Sequence, residues 1–243
     1  MSTPDKGNLK DPELFKAGVE YLKKRDPKIK DIIDRHGVIQ FAPGGHIFDS
    51  LIESIISQQL SGSAASSIIR RMRRLYASRD FEASSVFKTP PHKLRWAGVS
   101  PQKIRYLKDL SKRVVSGSLN VESLIDRPDS EVIESLDEVL GIGPWTVHML
   151  LIFTLGRPDV LPVDDLGIRR SIENIYSLES IPSAKEIEQI AKPWHPYCTV
   201  ASLYLWKEKD GGLTVLKKSN PKVPESPMSS RKIVEERRTL GNP

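Results

Sequence analysis

Leu140-Gly141-Ile142-Gly143-Pro144-Trp145-Thr146 is the stretch from which the rest of the chain can be read. Two glycines two apart permit a tight turn with positive φ. A proline in the first helical position loses no needed N–H. The helix behind it, apolar to about Leu155, therefore starts with free amides and nothing bulky in front of them. Such a terminus binds phosphate through its N–H groups and its dipole. A plain αα-hairpin would satisfy the same spacing.

Outward from this hairpin the apolar spacing is helical. Upstream, Val132, Ile133, Leu136, Val139 and Leu140 mark a helix that Asp129 or Ser130 is placed to cap. Pro101 opens another, carrying Ile104, Leu107, Leu110 and Val114 and stopped by Gly117. Phe48, Leu51, Ile52, Ile55, Ile56 and Leu60 form one face of a helix that Ser61-Gly62-Ser63 breaks; the next runs through Ile68, Ile69, Met72 and Leu75. Leu14–Arg25 and Ile29–His36 are short helices, with Val38–Phe41 a brief extended piece after them. Downstream come Leu166–Tyr176, Ala184–Ala191 and Thr199–Trp206. No alternating pattern of useful length and no internal repeat appear, so the expected class is all-α. Residues 1–215 form the globular part and 216–243, with Pro221, Pro224 and Pro227 among mixed charge, read as a disordered basic tail.

Composition narrows the function. The 243 residues hold one cysteine, Cys198, which excludes an intrachain disulfide and a four-cysteine zinc or iron–sulfur centre. No run of about 18 apolar residues is present, so no membrane span is expected. No apolar segment follows the first residues, so an intracellular protein is expected. The net charge of +6 and pI near 9.3 favour a polyanionic partner. His36, His46, His92, His148 and His195 show no metal-ligand spacing, and no metal is assigned. Asp165 precedes the Leu166–Tyr176 helix; by its place alone it is a capping aspartate.

The hairpin resembles the helix–hairpin–helix of the HhH-GPD superfamily of DNA base-excision glycosylases. In that family a Gly/Pro-rich loop and an aspartate follow the hairpin, as do Gly156-Arg157-Pro158-Asp159-Val160-Leu161-Pro162-Val163-Asp164-Asp165. Ser57-Gln58-Gln59-Leu60-Ser61, Gly98-Val99-Ser100-Pro101-Gln102-Lys103 and the segment from Trp194 to Trp206 agree in order and spacing. The resemblance covers roughly residues 15–210 and is nearest to the alkyladenine (3-methyladenine) glycosylase II group, in the short form without an N-terminal β domain. It implies a two-lobed helical bundle.

What the resemblance implies for function is concrete. Asp165 is the carboxylate that stabilises the positive charge built on the sugar as the N-glycosidic bond breaks, with Asp164 a neighbour of structural or solvent role. Trp145 stands where bifunctional relatives carry a Schiff-base lysine, so the expected enzyme is monofunctional, with no lyase step. Trp145, Trp206 and Met149 line a base pocket, where an indole face attracts a cationic alkylpurine by roughly 0.5–2 kcal/mol; core packing is the alternative for all three. Gln59 is the wedge that fills the gap left by a flipped nucleotide, and Ser61 a minor-groove contact. Gly141, Gly143 and Thr146 match phosphate-contacting backbone positions, which position but do not specify. Gln58 is expected to bond to the backbone inside the fold, and Trp194 and Tyr197 to pack between lobes. Relatives often carry arginine where this chain has Cys198.

The implied protein is a monomeric base-excision enzyme acting on double-stranded DNA with alkylated bases such as 3-methyladenine and 7-methylguanine. It requires no cofactor; hairpins of the family often bind a monovalent cation through main-chain carbonyls. It resides with the DNA, in a nucleus or a nucleoid. The alternative is a non-catalytic binder of alkylation damage on the same fold.

Overall fold

The computed structural model describes residues 7–76 and 80–210. Among these residues there are twelve α-helices, two 3₁₀ turns and no strand. No helix among them is long and apolar enough to cross a membrane. The expectation of a disordered tail from residue 216 lies outside the described residues.

The helices pack in two lobes. One joins both ends of the described chain: α1 (Pro12–Arg25), α2 (Pro27–His36), α10 (Leu166–Tyr176), α11 (Ala184–Ile190) and α12 (Cys198–Asp210). Asp26 organises it. Buried to 6% exposure, it caps α2 through the amides of Lys28 and Ile29, while Trp194 Nε1 donates to its Oδ2 at 2.8 Å and the Tyr176 hydroxyl also donates there. Burial and the adjacent carboxylate hold the Tyr176 hydroxyl well above the usual phenol range. Trp194 thus lies inside this lobe rather than between the two. Tyr197 also packs within it, against Tyr21 with centroids 5.3 Å apart.

The second lobe is the chain between: α3 (Ile47–Ser57), α4 (Gly62–Arg73), α5 (Ala83–Lys88), α6 (Pro91–Trp96), α7 (Pro101–Val115), α8 (Asp129–Asp137) and α9 (Pro144–Phe153). At its centre Leu51, Ile52, Ile55 and Ile56 of α3 are fully buried. The i, i+3, i+4 spacing of the sequence is therefore this helix's packed face. One continuous hydrophobic cluster runs through both lobes.

Several local readings change. The break expected at Ser61-Gly62-Ser63 comes earlier: α3 ends at Ser57, Ser61 caps α4 by accepting from Ala64 N, and that helix starts at Gly62. Pro128 stands at the N-cap of α8, so Asp129 opens the helix as its first residue and contributes charge there, not a cap. Val38–Phe41 pairs with no strand. The short α5 and α6 had no periodicity long enough to be read, and Pro90-Pro91 between them resembles a plain loop.

Candidate active site and DNA-facing surface

Asp165 begins α10 with extended φ and ψ, and its Oδ1 accepts from Ile168 N at 2.9 Å. It is the cap expected from sequence, and it is more than a cap. Trp206 Nε1 donates to the same Oδ1 at 2.9 Å, and Trp145 Nε1 donates to Oδ2 at 2.7 Å. The two indoles come from different lobes, Trp145 from the first turn of α9 and Trp206 from α12. Hydrogen bonds to a charged acceptor contribute about 1.5–3 kcal/mol each, so the carboxylate is clamped by one indole from each lobe. A carboxylate offers roughly four lone-pair sites; the three N–H donors leave one, on Oδ2, for a further group.

The clamp has its own support. Phe153, at the end of α9, stacks on Trp206 with centroids 5.7 Å apart and planes 29° apart. Gly167 lets the indole approach: a Cβ there would lie 2.8 Å from Asp165 Oδ1 and 3.2 Å from Trp206 Cδ1. Trp206 is 6% exposed and held on an edge and a face, whereas Trp145 is 44% exposed and leaves ring surface open beside the carboxylate. Met149 is buried in the hydrophobic cluster. Asp164 is exposed.

The hairpin is built by its neighbours on α7. Asp109 Oδ2 accepts Leu140 N at 3.0 Å. Gly141 has φ +80, and a Cβ on it would sit 2.1 Å from Tyr106 Cδ2, so only glycine fits. Gly143 is the N-cap of α9 with no side chain capping it, and a Cβ on it would meet nothing within 4 Å. The start of α9 therefore faces open space. Thr146 is 3% exposed; its side chain is inside the fold, and only its amide belongs to the helix terminus.

The loop after α3 lies against this hairpin. Gln58 Nε2 donates to Gly141 O at 2.7 Å, the backbone role expected of it. Gln59 is exposed with φ +56, a left-handed conformation uncommon for a residue with a Cβ. Ser61, also exposed, spends its hydroxyl on the α4 cap and on Ser63 Oγ at 3.2 Å. Gln58, Gln59, Gln102, Lys103, Tyr106, Gly141, Ile142 and Gly143 line one cleft of about 390 Å³.

Two features are not evident from the sequence. Lys103 Nζ donates to the carbonyls of Ile56 and Gln58, each at 2.7 Å, and so ties down the end of α3 immediately before Gln59. Burial holds its ammonium below the usual lysine range. Its motif, Gly98 to Lys103, was visible, but its target was not. The other is the clamp itself: two tryptophans identified as pocket walls turn out to be donors to Asp165. In Arg70–Arg74, Arg71 binds Ala97 O and Arg73 binds Asp49 and Glu53, leaving Arg70 and Arg74 as the outward charges.

A glycine hairpin on one lobe and an aspartate-headed helix on the other, joined through the bond from Trp145 Nε1 to Asp165, form the architecture of base-excision DNA repair. The chain belongs to the HhH-GPD superfamily of base excision DNA repair proteins, whose family profile matches residues 52–196. DNA-3-methyladenine glycosylase 1 of Schizosaccharomyces pombe is 35% identical over 162 residues, 66% of this chain and 71% of that one. The alkylbase DNA glycosidase-like protein mag2 of the same yeast is 28% identical over 79% of this chain and 93% of its own length. Among solved structures, the S. pombe 3-methyladenine DNA glycosylase in complex with abasic DNA matches with a TM-score of 0.71 at 31% identity, covering 79% of this chain and 95% of that one. A DNA-3-methyladenine glycosidase from Bacillus halodurans matches at 0.73 and 36% identity, covering 79% and 89%.

Proposed function

We propose that this protein is a monofunctional DNA glycosylase that flips alkylated purines such as 3-methyladenine and 7-methylguanine out of double-stranded DNA and excises them by hydrolysis, working as a monomer. The observation that carries this reading is the Asp165 carboxylate clamped by Trp145 and Trp206 beside an open helix terminus. The α9 amides take a phosphate of the lesion strand. The exposed face of Trp145 receives a cationic base. As the bond from C1′ to the base nitrogen breaks, its electron pair leaves with the base and positive charge grows on the sugar. The fixed carboxylate stabilises that charge. Water then adds to C1′ and its proton passes to Asp165 or to solvent. Trp145 has no amine to form a Schiff base, so the strand stays intact.

The test is incubation with methylated duplex DNA. Free 3-methyladenine and 7-methylguanine should appear by chromatography, and the strand should break only after alkali. Borohydride should trap no adduct, although Lys209 Nζ lies near Gly167. Tight binding with no base release would make the protein a damage binder, and a trapped adduct would remove the monofunctional reading.

Gln59→Ala probes the wedge. Unstacking a base costs a few kcal/mol, so losing the gap-filling side chain should slow base release roughly tenfold. Gln59→Gly removes the same side chain and also relieves the left-handed strain. It should release base as slowly as the alanine variant while melting no lower than the parent. Full activity in both would return Gln59 to a purely structural turn.

A further inference from the structure

The segment between the hairpin and α12 brings three metal-ligating side chains together outside the cleft already described. His195 Nδ1 lies 2.8 Å from Asp159 Oδ1 and 3.5 Å from Cys198 Sγ, and the three ligand atoms all fall within 4.8 Å of one another. The Asp159 side chain is 7% exposed and Cys198 is fully buried, while the His195 side chain is 52% exposed and opens the cluster to solvent.

The backbone around the cluster is already in register. Thr199 N donates to Pro158 O at 3.0 Å, Thr199 Oγ1 donates to Arg157 O at 2.6 Å, and Val160 N donates back to Thr199 Oγ1 at 3.0 Å. Asp159 Oδ1 also accepts Cys198 N at 3.4 Å, at the first residue of α12. The strap 157–160 and the start of α12 are thus stapled together on both sides of the cluster, and the donor set is held before any ligand arrives.

We propose that Asp159, His195 and Cys198 form a structural site for a zinc-class divalent cation. The donor set of one thiolate, one imidazole and one carboxylate is the mixed set that such a borderline-soft ion takes. Zinc bonds of about 2.0–2.3 Å in a tetrahedron place neighbouring ligand atoms roughly 3.4–3.6 Å apart. The His195–Cys198 separation is already that edge. The Asp159–His195 separation must open by roughly 0.6 Å as the metal replaces the shared proton. The fourth position faces solvent past His195 and takes water. Binding shifts the imidazole proton to Nε2 and releases one proton, that of the thiol, so affinity rises with pH. The ion would tie the strap leading to Asp165 to the helix that carries Trp206. The site therefore acts on the alignment of the carboxylate clamp from outside it.

Because Cys198 is the chain's one cysteine, cobalt(II) gives a clean test. The full-length protein, titrated with cobalt(II) under reducing conditions, should show a sulfur-to-cobalt charge-transfer band saturating at one ion per chain, which zinc then abolishes. His195→Ala removes a half-exposed ligand without opening the core, and should lose the band while keeping its helical circular dichroism. Cys198→Ser should lose it too. No band in the parent overturns the site. So does a band that survives His195→Ala, or one that saturates at one ion per two chains.

Discussion

Asp165→Asn is expected to slow single-turnover release of 3-methyladenine and 7-methylguanine by roughly a hundred- to a thousandfold, the effect of removing about 3–4 kcal/mol of electrostatic stabilisation. The structure makes the variant informative because the cap can survive it. Asparagine's oxygen can still accept from Ile168 N and Trp206 Nε1, which both meet Oδ1. Its amide then faces Trp145 Nε1, donor against donor. Trp145 is 44% exposed and can turn its N–H to solvent, so the stability loss should be about 1.5–3 kcal/mol, that of one hydrogen bond to a charged acceptor. Affinity for an abasic-analogue duplex should hold, since the hairpin is untouched. The more labile the cationic base, the smaller the loss should be. Asp164→Asn is the matched control: that side chain is exposed, and release should stay at the parent rate. Undiminished release by Asp165→Asn would reduce the residue to a helix cap, and a dead Asp164→Asn would move the chemistry to its neighbour.

Gly141→Ala should produce the largest loss of stability and DNA affinity of any single-methyl change in the hairpin. A residue with a Cβ at φ +80 costs roughly 1–2 kcal/mol. The methyl would also overlap Tyr106 Cδ2, 2.1 Å away, and overpacking of this kind adds about 1–3 kcal/mol. The hairpin must therefore move, and the Gln58 bond to Gly141 O moves with it. Trimming the ring in a Gly141→Ala, Tyr106→Ala double variant removes the overlap but not the φ cost, so it should recover part of the loss. Gly143→Ala is the contrast. Its φ is −108 and its Cβ would enter open space, so the fold should change by no more than about 0.5 kcal/mol. Duplex binding should still weaken, because the methyl stands where a phosphate approaches the α9 terminus. Urea unfolding and binding isotherms on the three variants separate these effects. Equal unfolding midpoints for Gly141→Ala and the parent would contradict the geometry.

The hairpin and the longer helices are legible in the residues alone. Periodicity is a local property, and α3 and α7 bury the face that their apolar spacing marks, although Leu60 falls beyond the end of α3 and is exposed. Glycine and proline act on their own φ angles, so Gly141 and Pro144 announce the turn and the open helix start without any partner. Asp165 as a cap is equally local, since its acceptor reaches an amide three residues on. The short α5 and α6 fell below the length at which a period can be recognised.

Partnerships across the fold were decided only in three dimensions. Trp145 and Trp206 are 61 positions apart and on opposite lobes, and nothing in their spacing says that both indole N–H groups converge on one carboxylate. Lys103 reaches the end of α3, some 45 residues upstream. His195-x-x-Cys198 is a local pair, but Asp159 joins it only because Thr199 stitches the strap to α12. Hydrogen bonds and ion clusters depend on distance in space, and two lobes folding onto one core bring together donors and acceptors whose separation along the chain carries no period.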